Sequence, residues 1–167
     1  SYRWSQIFET SSIASDVEVM KARRTGNGVQ EPFRPAAIED VVARIHELRP
    51  DVVFAPHVET SAGVILPDDY VTALASAAHD VGAIMVLDCI ASGCVWVDMK
   101  ATGVDVLISA PQKGWSASPS AGLVDRLRSL HLSQRRRSVT LTVGACYRTG
   151  SGTMNGTVLR VRSMVSD

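Results

Sequence analysis

The chain has 167 residues, 46% of them hydrophobic and 20% charged, which is the composition of a folded domain and excludes a disordered polymer. No apolar run approaches the ~18 residues of a membrane-spanning helix, and Ser1-Tyr2-Arg3-Trp4 opens no apolar stretch of the kind a secretory signal needs, so neither a membrane nor a secretory role is expected. Basic and acidic residues both number 17, and that balance excludes a chain tuned as a whole for nucleic acid. The three cysteines, Cys89, Cys94 and Cys146, are an odd number without paired spacing. They argue against a disulfide scaffold or a zinc site and point to the cytoplasm. The neutrality is uneven. Residues 1–122 carry 9 basic and 15 acidic residues, whereas residues 123–167 carry 8 arginines against 2 acidic residues.

In chain order, Arg3 to Phe8 reads as the end of a helix and Val17 to Met20 as a short strand. Lys21 to Pro35, polar and interrupted by Gly26, Gly28 and Pro32, reads as a loop. Ala36 to Leu48 is an amphipathic helix, with Ile38, Val41, Val42, Ile45 and Leu48 on one face, and Pro50 stops it. Asp51 to Ala55 is a short apolar strand of the kind a parallel sheet buries on both faces. Pro67 opens a second helix, with Asp68 and Asp69 at its positive end and Gly82 as its terminator. Ala83 to Leu87 is a second strand, ending at Asp88. After an irregular link, Val104 to Ser109 is a third, ending just before Pro111-Gln112-Lys113. This order predicts an α/β fold: a mostly parallel sheet flanked by helices, with right-handed crossovers. Ligands in such sheets sit outside the carboxyl ends of the strands. The segments of interest are therefore His57 to Gly63, Asp88 to Gly93 and Ser109 to Trp115.

Lys113 is one of three lysines in the chain, and a long amine at a strand end suits a Schiff base to a carbonyl. Asp88, closing a buried strand, needs a partner: an N–H, a metal or a cationic ring nitrogen. His57 to Gly63 places hydroxyls and a glycine in a turn that suits a polar or anionic ligand. Each also has a plainer reading, as a surface lysine, a turn or N-cap aspartate, and a serine-type turn. Together they match the needs of pyridoxal 5'-phosphate, which takes a lysine amine for its aldehyde and a carboxylate for its ring nitrogen.

The stretch from Asp51 to Gly122 resembles the large domain of fold-type I pyridoxal-phosphate enzymes in the class V aminotransferase branch. Within that branch it is similar to alanine–glyoxylate and serine–pyruvate aminotransferases. The residues that carry the resemblance are His57-Val58-Glu59-Thr60-Ser61-Ala62-Gly63-Val64, then Val86-Leu87-Asp88-Cys89-Ile90-Ala91-Ser92, then Gly103-Val104-Asp105-Val106 leading to Gln112-Lys113. The resemblance implies that Lys113 forms the Schiff base and shuttles a proton, and that Asp88 pairs with the pyridine nitrogen. It further implies that Ile90 packs on one ring face, Thr60 touches the ring or its hydroxyl, and Gln112 helps hold the phosphate. It implies transamination between a small amino acid, such as alanine or serine, and a 2-oxo acid such as glyoxylate or pyruvate, in a homodimer. A cysteine desulfurase-like lyase is the alternative within the superfamily; those relatives carry His where this chain has Gln112. A non-catalytic remnant is the alternative outside it. No glycine fingerprint opens a helix here as a Rossmann dehydrogenase would require.

This chain departs from the pattern in several places. Pro111 replaces the small residue expected before Gln-Lys and stiffens the approach. The phosphate-binding loop and the ring-stacking aromatic residue fall before Ser1, and the substrate-carboxylate arginine falls after Gly122. Residues 1–122 are therefore expected to form part of the large domain. From 123 to 167 the likeness stops, and an arginine-rich tail follows, read as frameshifted or disordered. Within it, Leu127, Leu130 and Leu132 suggest a short helix, Val139 to Val143 a strand, and Gly150 to Thr153 a weak phosphate-loop likeness.

Overall fold

Three short apolar runs become the centre of the structure. In the computed structural model, which describes residues 2–127, the elements in chain order are α1 (Tyr2–Ser11), β1 (Arg23–Arg24), β2 (Phe33–Arg34), α2 (Ile38–Leu48), β3 (Val52–Pro56), β4 (Val58–Glu59), β5 (Val64–Ile65), α3 (Asp68–Asp80), β6 (Ile84–Asp88), α4 (Met99–Thr102), β7 (Val106–Ser109) and β8 (Leu123–Arg126). The main sheet has the order β3-β6-β7-β8. The first three strands are parallel and β8 is antiparallel to β7. This is the mostly parallel sheet with flanking helices that the sequence predicts.

Alternation along each strand divides the core into two layers. Val53, Ala55, Met85, Leu87 and Leu107 face α2, α3 and α4, where they meet Val41, Ile45, Val71, Leu74 and Met99. Phe54, Val86, Val106 and Ile108 face the other way, toward Trp4 and Phe8 of α1. Because both faces are covered, these strands carry no polar–apolar alternation. The helices end where the sequence says they should. Arg49, in the left-handed region at φ 47, closes α2 just before Pro50. Pro67 precedes α3, and Gly82 at φ 76 leads out of it with the backbone freedom such a turn requires.

Four local expectations change. Val17 to Met20 has no ladder partner among the described residues and is not a strand, although Val17 and Val19 still pack on the α1 side of the sheet. The loop expected at Lys21 to Pro35 is pinched by the β1–β2 ribbon. There the Arg24 guanidinium lies 4.8 Å from the Phe33 ring centroid, and it donates to the carbonyls of Gly28, Val29 and Glu31. The link between β6 and β7 contains α4, a single turn nucleated by Asp98, whose carboxylate accepts from the backbone N–H groups of Lys100 at 2.9 Å and Ala101 at 3.0 Å. Finally, the sheet continues past Gly122: Leu123 to Arg126 pairs with β7 in the register Ser109–Leu123 to Val106–Arg126. The expected features at Leu130 and Leu132, Val139 to Val143 and Gly150 to Thr153 lie outside the described residues.

Candidate active site

Parallel register brings the sequence-predicted residues to one edge. Pro56 of β3, Asp88 of β6 and Ile108 of β7 stand side by side across the sheet, so the chain segments that follow them all leave from its carboxyl edge. Those segments cross-link. The His57 N–H donates to the Asp88 carbonyl at 2.9 Å, and the Cys89 N–H donates to the Ile108 carbonyl at 2.8 Å.

Asp88 is half-buried at the end of β6. Its Oδ1 accepts from the backbone N–H of Ile90 at 2.9 Å, and its Oδ2 accepts from the Trp4 indole Nε1 at 2.6 Å. Burial pushes the Asp88 carboxyl above its ordinary value and the negative Glu59 adds to this, while the donors from Ile90 and Trp4 hold it down. Ile90 is half-buried in the bend that follows. Thr60 is exposed in the turn of the β4–β5 hairpin, where the Ser61 hydroxyl donates to Glu59 Oε1 at 3.0 Å. Gln112 and Lys113 are exposed in the tight turn after β7. That turn is held by the Ala117 N–H on the Pro111 carbonyl at 3.0 Å, with a long 3.4 Å bond from the Lys113 N–H to the Ala110 carbonyl. Pro111, expected to stiffen the approach, contributes its carbonyl to closing the turn.

The loops after β6 and β7 touch directly. A Cβ on Gly114 would stand 2.9 Å from the Gly93 carbonyl carbon and 3.0 Å from the Cys94 backbone nitrogen. Trp115 Nε1 donates to the Gly93 carbonyl at 2.8 Å, and Cys94 Sγ donates to the Gly114 carbonyl at 3.3 Å. Lys113 is therefore anchored to the loop that leaves Asp88. Neither the glycine contact nor the Trp4 contact can be read from spacing along the chain; a glycine flanking each motif is the one local hint.

Behind this edge, His57 is 2% exposed and its Nδ1 lies 2.8 Å from Ser92 Oγ. Burial lowers the His57 pKa below its ordinary 6.5, against smaller raising effects from Asp68 and the Leu66 backbone. A lowered histidine pKa means that the unfolded chain takes up the proton first. Its stabilising effect is complete above 6.5 and declines as the pH falls through 6.5 toward the folded-state value. Thermal melts between pH 8 and 5 are expected to show this loss, with a shallower acid slope in His57→Gln; equal slopes would contradict it. The Cys89 thiol, also buried, is pushed up to about 11, with burial the main cause.

Among the described residues no group of three or more His, Cys, Asp or Glu side chains is arranged to hold a metal ion. No helix there is long and apolar enough to cross a membrane. An acceptor carboxylate and a primary amine at one sheet edge, backed by a hairpin bearing hydroxyls, form a set that fits a ligand with a ring N–H and a reactive carbonyl. Asp88 has the capacity for it: an ionised carboxylate offers about four acceptor positions, and the two donors in place leave room for another.

No protein-family model matches the chain. The chain is 35% identical over 114 residues to a 2-aminoethylphosphonate–pyruvate transaminase of Paraburkholderia xenovorans, a match that covers 68% of this chain and 30% of that protein. It is 25% identical over 138 residues to the alanine–glyoxylate aminotransferase of Rattus norvegicus, covering 80% of this chain and 33% of that one. A match over 80% of 167 residues necessarily runs past Gly122. The crystal structure of an alanine–glyoxylate aminotransferase from Nostoc sp. superposes with a TM-score of 0.54 at 27% identity, over 63% of this chain and 28% of that one. The chain spans about a third of the length of the curated relatives it matches.

Proposed function

We propose that this chain, a partial class V aminotransferase with the large-domain fold of the fold-type I pyridoxal-phosphate enzymes, contributes the lysine and carboxylate half of a transaminase site. The alignment of Pro56, Asp88 and Ile108 carries this reading, because it sends the Asp88 loop and the Lys113 turn out of the same sheet edge, where Gly93 and Gly114 lock them together.

When bound, pyridoxal 5'-phosphate supplies an electron sink for the bond broken at the substrate Cα. Asp88 would accept the ring N–H and keep that nitrogen charged. Lys113 would hold the cofactor covalently through Nζ and, once displaced by the substrate amine, take the Cα proton on the same atom. Ile90 would cover one face of the ring, Thr60 would meet the ring or its hydroxyl, and Gln112 would help hold the phosphate. The substrates are a small amino acid and a 2-oxo acid of the alanine or serine and glyoxylate or pyruvate type, and the working unit is a cytoplasmic homodimer. Gln112, where cysteine desulfurase-like lyases carry His, favours transamination over that alternative. Residues 1–122 would belong to the large domain together with β8, Leu123–Arg126, with the divergence kept to the arginine-rich remainder of the chain.

Borohydride trapping tests the reading. The full chain is incubated with pyridoxal 5'-phosphate, reduced, digested and mass-analysed. The expected result is a pyridoxyl group on Lys113 that is absent from Lys113→Ala; a separate, unreduced sample is assayed for turnover of L-alanine with glyoxylate. A label spread equally over Lys21, Lys100 and Lys113, or no label at all, would sink it in favour of a non-catalytic remnant.

A further inference from the structure

We infer that Trp4 is a positioning residue for Asp88: its indole N–H fixes the direction in which the carboxylate faces a cationic ring N–H. The inference rests on the role of Asp88 proposed above. Trp4 lies 84 residues from Asp88 in sequence, and its Nε1 donates to Oδ2 at 2.6 Å. Ile90 donates to Oδ1 at 2.9 Å. With one donor on each oxygen, the carboxylate cannot rotate about its Cβ–Cγ bond without breaking both contacts. Charge-assisted bonds of this kind are the stronger class of hydrogen bond. A third donor must therefore approach along the lone pairs that remain, and that direction is set before any ligand arrives.

The indole is itself held. Its centroid lies 4.6 Å from that of Phe54 on β3, with the ring planes tilted by 52°, and 5.9 Å from that of Phe8 one helical turn along α1. Orientation thus passes from the sheet through Phe54 to Trp4 and on to Asp88. The same bond has an electrostatic effect. Burial and the negative Glu59 both favour the neutral carboxyl, and a neutral carboxyl would lose its attraction for a charged ring nitrogen; the indole donor favours the ionised form. A tryptophan serving only to fill the space beneath α1 would need neither the short N–H contact nor this alignment.

Two measurements on the full chain separate the readings: the Asp88 carboxyl titration midpoint by 13C NMR without cofactor, and the pyridoxal-phosphate dissociation constant by equilibrium dialysis. Trp4→Phe keeps an aromatic ring on Phe54 and removes the N–H. It is expected to raise the midpoint by about one unit and weaken cofactor binding about tenfold. Phe8→Leu keeps both the donor and the Phe54 contact through which the orientation passes, and is expected to change neither. In the unsubstituted chain, the Trp4 indole proton resonance is expected to titrate with the Asp88 midpoint, an observation that does not depend on any variant folding. An unchanged midpoint in Trp4→Phe, or an indole proton blind to Asp88, overturns the inference. Tighter cofactor binding in Trp4→Phe also overturns it, since the indole would then block the site. A shifted midpoint in a chain that binds no cofactor supports the positioning role and overturns the cofactor reading alone.

Discussion

Gly114→Ala is expected to cut cofactor capture at Lys113 by about a hundredfold, because a displacement near 1 Å at a reacting group costs about that much. The new Cβ would stand 2.9 Å from the Gly93 carbonyl carbon and 3.0 Å from the Cys94 nitrogen, both backbone atoms that cannot swing aside. Relief requires the loops after β6 and β7 to part, which moves Lys113 away from Asp88. The fold itself should lose only about 1–3 kcal/mol, as overpacked sites do. Gly93→Ala is the internal control. Its Cβ would meet the Gly114 Cα and the Trp115 Nε1 at 3.5 Å, an ordinary contact distance. Borohydride trapping on both variants decides the matter: equal labelling of Lys113 in the two would show that the loop contact does not set the lysine's position.

Leu87→Ala carries the largest expected loss of stability. Leu87 is 0% exposed, in the strand between β3 and β7, with Ala55 and Leu107 beside it in register. Truncating a buried leucine costs about 2–5 kcal/mol, the spread reflecting how far the cavity collapses. Against the roughly 5–15 kcal/mol of a typical domain, much of the folded population is at stake. A urea melt measures it, and a drop under about 1 kcal/mol would mean that α3 closes the cavity by sliding onto β6. Asp88 adjoins Leu87 in the chain, so the same variant should weaken cofactor binding through the population of folded molecules rather than through chemistry.

The scaffold of this site was largely legible in the sequence, and its fine contacts were not, for physical reasons. β3, β6 and β7 announce themselves as short apolar runs, and α2 and α3 by their period and by Pro50, Pro67 and Gly82. The carboxyl-edge placement of Asp88 and Lys113 follows from that order alone. α4 is four residues long, too short for a period to show, and only Asp98 and Gly103 at its ends marked it. β8 reads Leu-Val-Asp-Arg, a sequence without a strand's apolar signature; its state is decided by pairing with β7. The Trp4 contact is the deepest omission. A strand buried on both faces conceals which side each residue takes, so nothing local says that Phe54 and Asp88 look toward α1.

That sidedness has an evolutionary edge. Along β6 successive side chains go to opposite faces: Val86 and Asp88 toward Trp4, Leu87 and Cys89 toward the helices α2 and α3. The chemistry of the site is therefore written in the parity of the strand. Substitutions at Ile84 or Val86 can drift through aliphatic neighbours in small steps, but inserting or deleting one residue within β6 has no small version. Either change sends the carboxylate into an apolar layer; a deletion brings the Cys89 thiol to where it stood, and an insertion brings the Leu87 side chain. Lineages that keep the activity are expected to vary β6 by exchange and to place their length changes in the β1–β2 ribbon and its flanking loops.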